Sequence, residues 1–190
     1  MIEALFHKNK GYLFAKDIAN RRNLYYQLNK LIDEGLVVRI KRGLYKYPEI
    51  AELDHWQEVS LIFPKSVIYL FSAFSYYNLT TYIPPVTHLA IDRKRKIVTN
   101  QYMPVKLHYI DRKIFNLHQR EENGVVIYSL ERTVCDAIKN QNQVGTDIMT
   151  EVVKNYYKSK KCNLNQLYKT AKEINIDNKQ RQIMQLIVNI

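Results

Sequence analysis

The stretch Leu24-Tyr25-Tyr26-Gln27-Leu28-Asn29-Lys30-Leu31-Ile32-Asp33-Glu34-Gly35 decides the N-terminal fold. Leu24, Leu28, Leu31 and Ile32 recur at i, i+4, i+7 and i+8, one apolar stripe of a helix. Gly35 stops it, because glycine enters the left-handed region past a helix end without a Cβ penalty. Leu36-Val37-Val38-Arg39-Ile40-Lys41 is rich in β-branched residues and reads as a strand. Arg42-Gly43 is a turn, and Leu44-Tyr45-Lys46-Tyr47 is the returning strand. Upstream, Asn20-Arg21-Arg22-Asn23 is a polar turn in which Asn23 is expected to cap the helix. Ala15 to Ala19 forms one or two helical turns with Ile18 inward. Leu13-Phe14 is a short extended piece. Ile2, Leu5 and Phe6 line a first helix that ends near Lys8, before Gly11.

Helix, short helix, polar turn, stronger helix and hairpin is the order of a winged helix-turn-helix. A helix fits the DNA major groove, where base edges display a distinct pattern of donors and acceptors. Opposite the apolar stripe, the candidate DNA contacts are Asn23, Tyr26, Gln27 and Lys30, preceded by Arg21 and Arg22. The hairpin adds Arg39, Lys41, Arg42 and Lys46, suited to phosphate or minor-groove contact. Tyr25 is expected to be partly buried and Tyr26 exposed. The competing reading is that these charges form one solvated face.

Composition agrees with a polyanion partner. The 190 residues carry 29 Lys and Arg against 18 Asp and Glu, a formal charge of +11. Residues 1–48 hold ten of those cations and four of the acids, over half of the excess in a quarter of the chain. A field of that sign attracts nucleic acid. No apolar run approaches the ~20 residues of a membrane helix. The N-terminus, with Glu3 before Lys8 and Lys10, has the reverse of a secretory order. Cys135 and Cys162 lie far apart and are expected to be reduced thiols in a cytoplasmic protein.

Pro48 marks the expected boundary. Residues 1–48 are read as the DNA-binding domain, 49–53 as a linker and 54–190 as a mixed α/β domain ending in helices, for an α+β protein overall. In the second part, Asp54 to Phe63 reads as a helix. Val67 to Leu70 is a strand or the entry to a helix running to Tyr77. His88 to Asp92, Val105 to Tyr109 and Val125 to Tyr128 read as strands. Four apolar stripes follow, on Leu130/Val134/Ala137/Ile138, Ile148/Val152/Tyr156, Leu164/Leu167/Ala171 and Ile183/Leu186/Ile187.

The run from Gly11 to Tyr45, with its basic residue, glycine, hydrophobic and tyrosine ending, resembles the N-terminal domain of AbiEi-family antitoxins. Pro64-Lys65-Ser66-Val67-Ile68 with Ser72-Ala73-Phe74 and Asn78-Leu79-Thr80 is similar to a second block of that family. Ser129 to Asp136 is similar to a third, so the likeness covers nearly the whole chain. It implies a repressor that binds inverted repeats in its own promoter on double-stranded DNA. It also implies a type IV antitoxin of an abortive-infection system, a form of phage resistance. Such an antitoxin counteracts a co-encoded AbiEii nucleotidyltransferase toxin without a stable complex. A monomer in solution is expected.

Enzyme readings find little support. The five glycines are not clustered into a phosphate loop, and no HExxH or zinc spacing occurs, so no catalytic residue, metal or cofactor is expected. Asp92, Asp111 and Lys113 mimic the acids and lysine of a magnesium-dependent nuclease, a pattern that arises readily in a basic chain. A regulator whose C-terminal domain senses a ligand is the other alternative. Arg93-Lys94-Arg95-Lys96 is a candidate patch for nucleic acid or an acidic partner, or else a solvated loop. Glu131, Arg132 and Asp136 are either a polar site or a helix start followed by an i,i+4 ion pair.

Overall fold

The structure is a computed structural model that describes residues 1–99, 101–179, 181 and 182. It mixes helices and sheets, as the α+β reading expects. The chain divides into two compact units, Met1–Pro64 with Thr99–Tyr102, and Lys65–Val98 with Met103–Ile190.

The first unit begins with α1 (Ile2–Lys8), β1 (Tyr12–Phe14), a 3-10 turn (Ala15–Ile18) and α2 (Arg22–Asp33). It continues with β2 (Val38–Lys41), β3 (Leu44–Lys46), a second 3-10 turn (Pro48–Ile50) and α3 (His55–Ile62). The strands form an antiparallel sheet in the order β1-β3-β2. One face of this unit is apolar: Leu28 and Leu31 of α2 pack with Ile2, Phe6, Leu13 and Ile18. Beyond α2, Gly35 adopts φ +74, Gly35 N–H bonds Ile32 O, and Leu36 N–H bonds Leu31 O. That pair of bonds is a Schellman cap, which satisfies carbonyls the helix end would otherwise leave open.

The start of α2 differs from expectation. Arg21, not Asn23, is the N-cap, and it makes no side-chain cap bond. Arg21 N–H bonds Ile18 O, which carries the preceding turn directly into the helix and places Asn23 inside its first turn.

The unit continues past Pro48. Gly11 has φ +85, and a Cβ there would stand 2.5 Å from the Ala51 Cα. Only glycine permits that approach. Glu52 N–H bonds Lys10 O, fastening the returning chain across it. Asp54 then caps α3, accepting from Trp56 and Gln57 N–H at 2.8 and 2.9 Å, while Gln57 Oε1 accepts from Asp54 N–H. This is a capping box.

The second unit holds β4 (Val67–Ile68), α4 (Leu70–Tyr76), β5 (Thr87–Asp92), β6 (Val105–Ile110) and α5 (Arg112–Phe115). Then come β7 (Gln119–Glu122), β8 (Val125–Tyr128), α6 (Leu130–Lys139), α7 (Gln141–Val144), α8 (Thr146–Lys158) and α9 (Leu164–Glu173). The sheet order is β6-β5-β4-β8-β7, with β4–β8 and β5–β6 parallel and the outer β7–β8 pair antiparallel. Val67 to Tyr77 is both strand and helix, in that order. Residues Glu131 to Ile138 of α6 are all buried, and its apolar side packs against α8 and α9 through Val152, Val153, Tyr156, Leu167 and Ala171. The stripe Ile183/Leu186/Ile187 lies outside the described residues. Among the described residues, no helix is long and apolar enough to cross a membrane. Cys135 and Cys162 are free thiols.

Candidate nucleic-acid interface

Residues Arg22, Tyr26, Asn29 and Asp33 of α2 recur at i, i+4, i+7 and i+11, opposite the buried leucines, and all four are exposed. Tyr26 is 73% exposed, whereas Tyr25, at 37%, is tethered by its hydroxyl to Ala15 O. Asn23 and Lys30 flank the stripe and are exposed. Lys30 pairs with Glu34 at 3.7 Å across open solvent, a weak bond that a phosphate can replace. Asn29, which the sequence reading passed over, belongs to this face. The helix spacing contained that signal, since 29 lies three residues past Tyr26.

The first turn of α2 holds no acidic residue, and Arg21 and Arg22 stand at its positive end. That arrangement disfavours the isolated helix and favours an anion beside it.

The hairpin separates its basic residues by a bulge. Arg39 pairs with Tyr45, but the next pair is Lys41 with Leu44, so Ile40 is the inserted residue. Strict alternation would set Arg39 and Lys41 on one face; the extra residue puts them on opposite faces. Arg39 and Arg42 are exposed. Lys41 turns inward, and its ammonium donates to Ile62 O at the end of α3. Burial pushes the Lys41 ammonium below its ordinary range.

Two other expected contacts are also engaged within the fold. Lys46 Nζ lies 2.7 Å from Glu58 Oε1 and 2.9 Å from the Tyr102 hydroxyl. Burial alone would push the Lys46 ammonium down, but those bonds and the Glu58 charge overcome it and hold it above the ordinary range. Gln27 Oε1 accepts from Ile2 N–H at 2.9 Å and so caps the start of α1. Gln27 Oε1, Lys41 Nζ and Lys46 Nζ thus each hold a hydrogen bond within the protein.

In the second unit, Arg93, Lys94, Arg95 and Lys96 leave β5 as an exposed turn. Asp92, buried at its start, accepts from Lys94 N–H at 3.0 Å. Asp111 caps α5 by accepting from Lys113 N–H. Among the described residues, no group of three or more His, Cys, Asp and Glu is placed to hold a metal ion. Arg132 and Asp136 form an i,i+4 pair at 2.9 Å, with both side chains only 1% exposed. Arg132 Nη1 also donates to Ile114 O and Leu117 O, and its guanidinium lies 4.6 Å from the Tyr128 ring centre. Ser129 caps the same helix by accepting from Arg132 N–H.

A polar helix face beside an arginine-bearing hairpin, on one compact unit, suits the class of transcriptional regulators. Residues 1–48, about a quarter of the chain, match the family model of the AbiEi antitoxin transcriptional regulators. The likeness read from the sequence is thereby shown for those residues, and the blocks at 64–80 and 129–136 lie outside the match. No curated protein matches the chain.

Proposed function

We propose that the first unit is a winged helix-turn-helix that binds double-stranded DNA, with α2 in the major groove and the β2–β3 hairpin on the flanking backbone. The observation that carries this reading is the exposed stripe Arg22/Tyr26/Asn29 on α2, in the same unit as exposed Arg39 and Arg42. The element order and the β1-β3-β2 sheet suit that docking. The DNA-facing set is Arg21, Arg22, Asn23, Tyr26, Asn29, Lys30, Arg39 and Arg42. Together with the family match, this reading makes the chain an autoregulatory repressor that binds inverted repeats in its own promoter. It further makes it an antitoxin that counteracts a co-encoded AbiEii nucleotidyltransferase toxin.

The test is binding to the upstream DNA of its own gene at a series of salt concentrations. Five exposed cations are placed for phosphate: Arg21, Arg22, Lys30, Arg39 and Arg42. At about −0.9 per phosphate contact, the slope of log K against log salt should approach −4.5 per copy. A flat salt response overturns the reading. For the second activity, co-expression with the neighbouring nucleotidyltransferase should restore growth, and failure to do so removes the antitoxin role.

A further inference from the structure

β6 is an outer strand of the five-stranded sheet. Pro104 O accepts from Thr87 N–H and Ile110 O accepts from Arg93 N–H, so the even-numbered residues of β6 are the ones that bond β5. Backbone groups alternate in direction along a strand, so the N–H and C=O of Val105, Leu107 and Tyr109 point away from the sheet. Among the described residues, nothing bonds those groups. Outer strands are ordinarily blunted by charge, proline or a bulge. β7, at the other edge, is Gln-Arg-Glu-Glu and is blunted by charge. β6 runs six residues in unbroken register with β5, with Lys106 as its one formal charge and no proline.

This edge borders a groove. Leu107, His108, Tyr109, Ile110 and Asp111, consecutive along the chain, line a cavity of about 490 Å³ together with Ile114 of α5 and with Lys139 and Asn140 at the end of α6. Side chains alternate between the faces of a strand, so an unbroken run of lining residues brings the backbone edge itself to the groove. The carboxylates there are engaged: Asp111 takes Lys113 N–H, and Asp136 is held by Arg132 and the Tyr69 hydroxyl. Arg93 and Lys139 also line the groove and are exposed, and exposed Lys106 and Lys113 add charge of the same sign. A row of outward N–H and C=O groups is matched by an extended peptide, which carries both donors and acceptors. A nucleic-acid backbone presents phosphate acceptors, which suit the cations but leave the three outward carbonyls without donors. A second copy of this chain brings the same cations and a net charge of +11, so it is repelled.

We propose that β6 takes up an extended acidic segment of a partner protein as an added strand of this sheet, its backbone bonded to Val105, Leu107 and Tyr109 and its carboxylates set against Arg93 and Lys139. This site is independent of the DNA-binding reading of the first unit. The experiment is fluorescence anisotropy of the full-length protein with a labelled octapeptide of alternating valine and glutamate. Its lysine counterpart, a copy with every amide N-methylated and a short oligonucleotide of equal charge serve as comparisons. The acidic peptide should bind saturably, and about tenfold or more tightly than either peptide comparison. Tyr109→Pro removes one outward N–H while sparing the ladder to β5, a position where an outer strand tolerates proline. It should weaken binding by about tenfold, whereas Tyr109→Ala, which keeps the amide, should bind nearly as the native protein does. Arg93→Glu/Lys139→Glu alters two exposed side chains and should turn the preference toward the lysine peptide. If Tyr109→Pro does not fold, that reversal decides the matter, and an unchanged preference overturns the proposal. It is likewise overturned by any of four results: no binding of the acidic peptide at millimolar concentration, equal binding of the N-methylated copy, tighter binding of the oligonucleotide, or a folded Tyr109→Pro that binds as the native protein does. Self-association of the protein that Tyr109→Pro abolishes would assign the edge to a second copy and overturn it as well.

Discussion

Lys46 Nζ lies 2.7 Å from Glu58 Oε1, which ties the last strand of the N-terminal sheet to a helix beyond Pro48. The two side chains are only 17% and 10% exposed, so the pair is largely out of water. Tyr12 and Leu44 share the Lys46 face of the sheet and are buried as well. A sheet face made of Tyr12, Leu44 and a half-buried lysine requires cover, and α3 belongs to the same unit.

Glu58→Ala would leave the Lys46 ammonium without its carboxylate. Fully buried charges stranded in this way cost about 3–5 kcal/mol, and the residual exposure here reduces that to about 2 kcal/mol. Urea unfolding of the full-length protein measures it. A fragment ending at Pro48 should lack cooperative unfolding by circular dichroism, and one ending at Pro64 should regain it. Equal behaviour of the two fragments would show that α3 is dispensable.

Gly11→Ala tests the same extension from the backbone side. The new Cβ would stand 2.5–2.8 Å from backbone atoms of Ile50 and Ala51, which cannot swing away as the end of a side chain can, and φ +85 is strained for alanine. The expected loss is at least 2 kcal/mol in a thermal or urea melt. A change below 0.5 kcal/mol would mean that the segment after Pro48 detaches freely.

Within α2 the structure assigns different fates to neighbouring polar residues. Gln27→Ala removes the acceptor for Ile2 N–H and should cost about 1 kcal/mol of stability, leaving the ratio of operator to random DNA affinity unchanged. Tyr26→Ala and Asn29→Ala should leave stability within about 0.5 kcal/mol. If these residues read bases, each should lower that ratio by roughly 1–3 kcal/mol. Fluorescence anisotropy with operator and scrambled duplexes separates the two classes. A specificity loss in Gln27→Ala with full stability would reverse the assignment.

Much of the N-terminal order was readable because its signals are local. The Leu24/Leu28/Leu31 spacing and Gly35 mark α2 and its end without reference to the rest of the chain. What the sequence hides is non-local or one residue wide. The bulge at Ile40 inserts a single residue and reverses the side to which Lys41 points. The partners of Lys46 and Lys41, Glu58 and Ile62, lie beyond the Pro48 boundary, so a count of charges in residues 1–48 treats both as free. β7 is Gln-Arg-Glu-Glu, an edge strand with no apolar alternation to reveal it. In the second unit, the i,i+4 spacing of Arg132 and Asp136 was legible, but its burial was not: that depends on α4, α8 and α9 packing around α6.

That burial makes Arg132 and Asp136 a coupled pair. Arg132→Met strands a fully buried carboxylate and two carbonyls, and Asp136→Leu strands the guanidinium, so each single change should cost about 3–5 kcal/mol. The double variant should cost less than the sum by about 2 kcal/mol, because neither charge is then left alone. Recovery should be incomplete, since the Ile114 and Leu117 carbonyls still lack the Arg132 donors. Additive effects in a double-mutant cycle would show that the two side chains act separately.

His88 and His108 give the second unit a pH response. Their ring nitrogens lie 3.1 Å apart, and burial, helped by Lys106, lowers both imidazoles to about 4 from an ordinary 6.5. A cationic group whose pKa falls on folding takes up its proton more readily when the chain is unfolded. Between pH 6.5 and 4 the unfolded chain therefore binds more protons than the native one, and stability falls as pH falls. His88 alone, nearly fully buried, contributes a loss of roughly 3 kcal/mol over that range at 1.36 kcal/mol per pKa unit. His108 is half-buried and coupled to it, and adds less than its own full share. Urea midpoints measured from pH 7 to 4.5 should show a steady decline, and the His88→Gln/His108→Gln variant should flatten it. A native protein whose midpoint stays level across that interval would mean that the two imidazoles take up protons in the folded state as readily as in the unfolded chain.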